Sequence, residues 1–224
     1  MGETEGPTAT KPIVLHTYPL GPNPLKTAIV LEELGLPYEY RWMEFDQVHQ
    51  EPYININPNG RVPAIEDPNT NMVLWESAAI NEYLVQTYDK TQKLWALSMD
   101  KAHGFFFRHY EYLPSAVSRY RGEIRRIIGV MNKVLADKEY LVANRCTIAD
   151  LGFIPWDEQV HNICEGQEWL QTIEQDYPHW CAWRRRLLAR PAVQKVLADR
   201  AKALADAGPS TIPKNWEREM KIIK

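Results

Sequence analysis

The alternation of apolar and polar residues changes character once along the chain. In the first part, "IVLHTY" at 13–18 is a short β-rich run closed by Pro19, which predicts a strand. Leu25, Ala28, Ile29 and Leu34 then recur at a helical period. Asn23 is placed as N-cap of that helix, Pro24 as its first residue and Gly35 as its stop. "YEYRWMEF" predicts a second strand, and a polar loop with Gln47, His49 and Gln50 follows. "VPAIED" and "MVLW" predict a hairpin around "DPNTN", and "ESAAINEYLVQTY" predicts a helix. The predicted order is β-α-β-loop-β-β-α.

From about Lys93 the pattern is helical. Val117, Ile124, Ile127, Ile128, Met131, Val134 and Leu135 form one apolar face of an amphipathic helix. "TIADLGFIPWDEQV" opens on Thr147 with Asp150 three residues on, a capping-box spacing with a structural role. "YPHWCAWRRRLLARPAVQKVLADRAKAL" predicts two helices broken at Arg190-Pro191. The expectation is a loose polar arm at 1–11, an α/β domain at 12–89 and an all-α domain at 90–224.

Charge and composition narrow the function classes. The net charge of −3 carries no basic excess of the kind a nucleic-acid binder needs. No apolar run approaches the roughly 20 residues that span a bilayer, and "MGETEGPTATKP" is too polar for a secretory signal. Cys146, Cys164 and Cys181 form no C-x-x-C pair, which fits a reducing, cytoplasmic setting. No H-E-x-x-H spacing occurs, so no metal site is expected.

Four segments, "NPNGRVPAI", "WESAAINEYL", "TIADLGFIPW" and "RPAVQKVL", resemble in order and spacing the glutathione transferase superfamily over nearly the whole chain. "GPNPLKTAIVLEELGLPYEY" and "SAVSRYRGEIRRIIGV" resemble its fungal and bacterial nu-like group, which includes nitrogen-regulation-like proteins. The resemblance implies an α/β thioredoxin-like N-terminal domain that binds glutathione. It also implies an all-α C-terminal domain that supplies an electrophile pocket, and a homodimer.

It further implies roles for individual residues. Val62, before a cis Pro63, pairs its backbone with the cysteinyl backbone of glutathione, in the manner of an added strand. Ser77, at a helix N-terminus, binds the γ-glutamyl carboxylate, and Glu76 accepts from its ammonium. Arg61 and His49 reach towards the glycyl carboxylate. For activation of the thiol, Asn23 is the first candidate and Tyr18 the second. Read by themselves, Asn23 is also a plain N-cap, Ser77 a capping serine and Tyr18 a core ring. No cysteine or serine lies between His16 and Lys26, which argues against a mixed disulfide with an enzyme thiol.

The segment from Trp95 to Tyr110 is short beside the nu-like pattern, by about five helical turns. Phe105, Phe106, Phe107, Tyr110, Arg119 and Tyr120 are the expected electrophile-pocket residues. The functional expectation is a transferase that directs glutathione thiolate at a bulky, apolar, conjugated electrophile. The alternatives are a glutathione-dependent cis-trans isomerase of a specialised metabolite and a non-catalytic regulator or scaffold.

Overall fold

In the computed structural model the described residues are 9–44, 46–94 and 114–207, with the backbone alone described at 114–120, 162 and 207. They divide into two compact units, residues 9–94 with 189–207 and residues 114–188.

The first unit is built on strands β1 (Ile13–Thr17), β2 (Tyr38–Trp42), β3 (Ala64–Asp67) and β4 (Met72–Trp75), in the sheet order β2-β1-β3-β4. β1 runs parallel to β2 and antiparallel to β3, and β3 is antiparallel to β4. The predicted alternation is followed, with a 3-10 turn at Gln47–His49 and a short helix α2 (Tyr53–Ile56) inside the expected loop. Ile13, Leu15 and Ile65 are fully buried in the sheet. Helices α1 (Pro22–Glu33) and α3 (Ser77–Tyr88) pack against each other and against the strands. Beside Ala64, residues Met43, Val48 and Tyr53 make a smaller cluster that takes in Ile56, Val62 and Trp75.

The α1 boundaries show what local sequence decides. At its C-terminus Gly35 has φ +64°, its N–H donates to Glu32 C=O, and Leu36 N–H donates to Leu31 C=O, both at 3.0 Å. That pair of bonds is a Schellman cap, as Gly35 predicts. At the N-terminus the expectation is corrected. Gly21 is the cap, with φ −74° and ψ 120°, Pro22 is the first helical residue, and Asn23 lies inside the first turn. Proline fits the first helical position, so Pro22 starts the helix two residues before Pro24 would.

The division into units departs from the expected boundary in one element, the last of the helical series. That series is α4 (Pro114–Val134), α5 (Ile148–Leu151), α6 (Ile154–Asp157), α7 (Val160–Ile163), α8 (Ile173–Asp176), α9 (Pro178–Leu188) and α10 (Pro191–Ala207). α10 belongs with the sheet, because it packs on α1. The Arg190 guanidinium forks onto the Glu33 carboxylate at 2.5 and 2.6 Å, Lys195 pairs with Glu32, and Arg200 Nε donates to Pro19 C=O at 3.1 Å. At the other end of the sequence, the N–H groups of Thr10 and Lys11 donate to Asn69 Oδ1 at 3.0 and 2.9 Å, so the expected arm is tied down at its last residues.

In the second unit, Thr147 and Asp150 form the predicted capping box. The fully buried Asp150 carboxylate also accepts from Leu141 N–H and from Trp183 Nε1, both at 2.9 Å. The helix expected from Thr147 onward is broken into α5, α6 and α7. Pro155 lacks the N–H that would pair with the Leu151 carbonyl, and bonds of the tighter i→i+3 kind join the pieces, such as Trp156 N–H to Phe153 C=O at 3.0 Å. On α4 Ile128 and Met131 are buried, as is Leu135 just past its end, whereas Val134, assigned to the same face, is exposed.

Candidate functional site

Sheet register gathers the expected site residues at one end of the first unit. Thr17 lies beside Trp42, His16 opposite Ala64 and Ala64 opposite Trp75. The C-terminal ends of β1, β2 and β4 and the N-terminal end of β3 therefore share one edge. Val62-Pro63 enters that edge and Glu76-Ser77 leaves it. α1 and α3 both begin there, and neither has a side-chain cap on its first turn. Two helix N-termini with positive dipole ends thus meet one sheet edge, which is a setting for anionic groups; in the first turn of α1 only Asn23 and Leu25 carry N–H groups, because residues 22 and 24 are prolines.

The Val62-Pro63 peptide is cis. Among the described residues, Val62 N–H and C=O enter no hydrogen bond within the chain. Val62 is half-buried and packs against the cluster of Met43, Val48, Tyr53 and Ala64. Glu76 has φ +71°, in a region a glutamate seldom occupies, at a cost of about 1–3 kcal/mol. Its carbonyl accepts from Ile80 N–H at 2.9 Å, so the unusual backbone is held by the first turn of α3. The Glu76 side chain is exposed and that of Ser77 half-buried. Neither makes a hydrogen bond within the described chain.

Arg61 and His49 carry exposed side chains without an internal hydrogen bond among the described residues. His49 lies against Gly60, where an added Cβ would sit 2.3 Å from His49 Nδ1. That contact brings His49 beside the loop that leads to Val62. Asn23 is half-buried, and its amide likewise has no partner within the described chain. Tyr18 is 8% exposed. Burial raises its phenol above the ordinary tyrosine range, so it keeps its proton. Phe105, Phe106, Phe107 and Tyr110 lie outside the described residues. Arg119 and Tyr120 fall on α4, where only the backbone is described.

Two neighbours were not singled out by the sequence. Tyr53 and Asn57, 3% and 1% exposed, both donate to the Arg61 carbonyl. The "NPNG" turn around Asn57 was the available signal, since asparagine side chains close loops of this kind. Below them the His16 ring lies 5.3 Å from the Tyr53 ring, and His16 Nε2 bonds Glu66 Oε1 at 2.7 Å. Burial lowers the His16 pKa, against the pull of Glu66.

The geometry describes a thioredoxin-like unit with a free-backbone edge and two open helix starts. Residues 21–87 match the family described as glutathione S-transferase, N-terminal domain, and residues 94–191 match glutathione S-transferase, C-terminal domain. The glutathione S-transferase-like protein tpcF of Aspergillus fumigatus is 40% identical over 209 residues, which take in 80% of this chain and 92% of that protein. The crystal structure of the glutathione transferase URE2P5 from Phanerochaete chrysosporium superposes with a TM-score of 0.79 at 30% identity, covering 89% of this chain and 99% of that one. The URE2P6 glutathione transferase of the same organism, in complex with oxidized glutathione, has a TM-score of 0.75 at 38% identity over 87% of this chain and 99% of that one. The chain belongs to the glutathione S-transferase family.

Proposed function

We propose that this protein binds glutathione at the open sheet edge and directs its thiolate at a bulky, apolar, conjugated electrophile. The observation that carries the reading is the convergence at one edge of free Val62 peptide groups and two helix starts without side-chain caps. Val62 N–H and C=O pair with the cysteinyl backbone. Ser77 and the first N–H groups of α3 receive the γ-glutamyl carboxylate, and Glu76 receives its ammonium. Arg61 and His49 face the glycyl carboxylate. Asn23 donates its amide hydrogen to the thiolate at the start of α1, and Tyr18 stays a packed ring. The absence of an internal partner for the Asn23 amide supports this division, as does the burial of Tyr18.

In conjugation a carbon–sulfur bond forms to the electrophile, the leaving group departs with its electron pair, and the thiol proton passes to solvent. Glutathione is then a co-substrate. A cis-trans isomerase would use the same thiolate and return glutathione unchanged. The preference for a bulky electrophile rests on the short segment before α4. By family likeness the protein acts as a cytoplasmic homodimer.

Ser77→Ala and Glu76→Ala are each expected to weaken glutathione about 10-fold, because each leaves a charged end of the ligand unpaired. Wild-type affinity by calorimetry in both variants would remove this edge as the glutathione site. Mass spectrometry of the product separates the chemistries, since conjugation raises the mass by the thiol adduct and isomerisation leaves it unchanged. Retention on immobilised glutathione without turnover of any electrophile would favour a scaffold.

A further inference from the structure

The loop from Asn57 to Val62 is organised around one oxygen, the carbonyl of Arg61. Tyr53 OH donates to it at 2.5 Å and Asn57 Nδ2 at 2.6 Å. A carbonyl has two lone pairs, so this oxygen is saturated by two buried donors. Asn57 is itself fixed on every side. Its N–H donates to Tyr53 C=O at 2.9 Å, its C=O accepts from Gly60 N–H at 3.0 Å, and its Oδ1 accepts from Asn59 N–H at 3.0 Å. Burial pushes the Tyr53 phenol up to about 12, so it remains a donor throughout the neutral range.

The Arg61 carbonyl and the Val62 N–H belong to the same peptide unit. In a planar trans peptide the C=O and N–H point in opposite directions. Holding the oxygen inward with two donors therefore holds the Val62 N–H outward. We propose that Tyr53 and Asn57 are positioning residues that aim the Val62 N–H at the cysteinyl carbonyl of bound glutathione. The inference rests on the reading that Val62 pairs with the glutathione backbone. Neither residue touches the ligand. Each acts through the peptide it grips, and the His16 ring packed beside Tyr53 holds the phenol in place.

Tyr53→Phe deletes one donor and keeps the ring, and Asn57 still satisfies the Arg61 carbonyl, so this variant folds. The test pairs it with a ligand change. A glutathione analogue with an (E)-alkene in place of the cysteinyl–glycine amide lacks the carbonyl that accepts from Val62. Calorimetry with glutathione and with the analogue, on wild type and Tyr53→Phe, gives a four-way cycle. On wild type the analogue is expected to bind about 5-fold more weakly than glutathione, the worth of one hydrogen bond. On Tyr53→Phe that penalty shrinks below about 2-fold, while glutathione itself loses about 5-fold. An equal penalty on both proteins would overturn the positioning role. No penalty on wild type would instead overturn the pairing of Val62 with glutathione, so the two failures are told apart. Asn57→Ser, with a shorter hydroxyl donor, is expected to behave like Tyr53→Phe in the same cycle, and an undiminished penalty there would count against the role of Asn57.

Discussion

Gly60→Ala tests the loop that carries the site. Gly60 has φ +59°, a left-handed conformation that costs an L-residue about 1–2 kcal/mol. The new methyl group would also lie 2.3 Å from His49 Nδ1, 2.7 Å from His49 Cε1 and 3.2 Å from Val48 C=O. The first two distances are far inside contact, but the imidazole is exposed and can swing away. Forcing it off its preferred rotamer costs about 0.5–1.5 kcal/mol. The carbonyl needs only a small shift. Chemical denaturation of the single variant is therefore expected to show a loss of about 1.5–3.5 kcal/mol, the sum of the left-handed backbone and the displaced ring. With His49→Ala already present the ring contribution vanishes, and adding Gly60→Ala is expected to cost about 1–2 kcal/mol. The two changes should thus couple by about 1 kcal/mol. Equal costs in the two backgrounds would refute the His49–Gly60 contact. A cost below about 0.5 kcal/mol in both would refute the left-handed backbone at residue 60.

Asn23→Ala is expected to raise the pKa of bound glutathione, read from thiolate absorbance against pH, while Tyr18→Phe leaves that titration unchanged. The opposite pattern would move thiol activation to Tyr18. Asp67 is buried, and burial pushes its carboxyl up, but hydrogen bonds from Tyr88, Tyr83 and Asn69 outweigh this and hold it below its ordinary value of 3.8. A carboxylate with a lowered folded-state pKa contributes stability at pH above 3.8, and that contribution is lost as pH falls through the folded-state value. Asp67→Asn should therefore flatten the acid limb of the stability–pH curve, and an unchanged limb would show that Asp67 does not govern it.

The sequence exposed those features whose cause is local. Gly35 marks a left-handed helix stop because glycine adopts positive φ without cost, and a Schellman cap stands there. The Thr147–Asp150 box needs only its three-residue spacing, and "DPNTN" between two short apolar runs needs only turn chemistry. Choices between equivalent neighbours were not legible. "GPNP" offers two prolines that both suit a first helical turn, and the helix takes the earlier one, moving Asn23 from the cap into the turn. The apolar stripe of α10 shows that one face is buried, but the pattern does not say against what. Its place on the sheet unit follows from Glu33–Arg190, 157 residues apart in sequence. The grip of Tyr53 and Asn57 on the Arg61 carbonyl is equally invisible, because a backbone oxygen leaves no trace in the residue types around it.

The polar groups of the first unit fall into two populations, and the contrast bears on function. Asp67 accepts four hydrogen bonds from Asn69, Tyr83 and Tyr88, and Asn57 uses both ends of its amide. Such saturation is what burial demands, since an unpaired buried polar group costs about 1–3 kcal/mol. Asn23, His49, Arg61, Glu76 and Ser77 follow the other rule, with side chains exposed or half-buried and no internal hydrogen bond among the described residues. A surface side chain left free is ordinary by itself. Here all five stand in the loops and helix starts around one sheet edge, beside a Val62 peptide that is also free. The backbones beneath two of them are held by buried bonds, through the Arg61 carbonyl and the first turn of α3 below Glu76. Rigid backbone under unsatisfied polar groups is the arrangement that lets a ligand bind without first ordering its site. An extended tripeptide with charge at both ends and amides between matches the polar groups available along that edge.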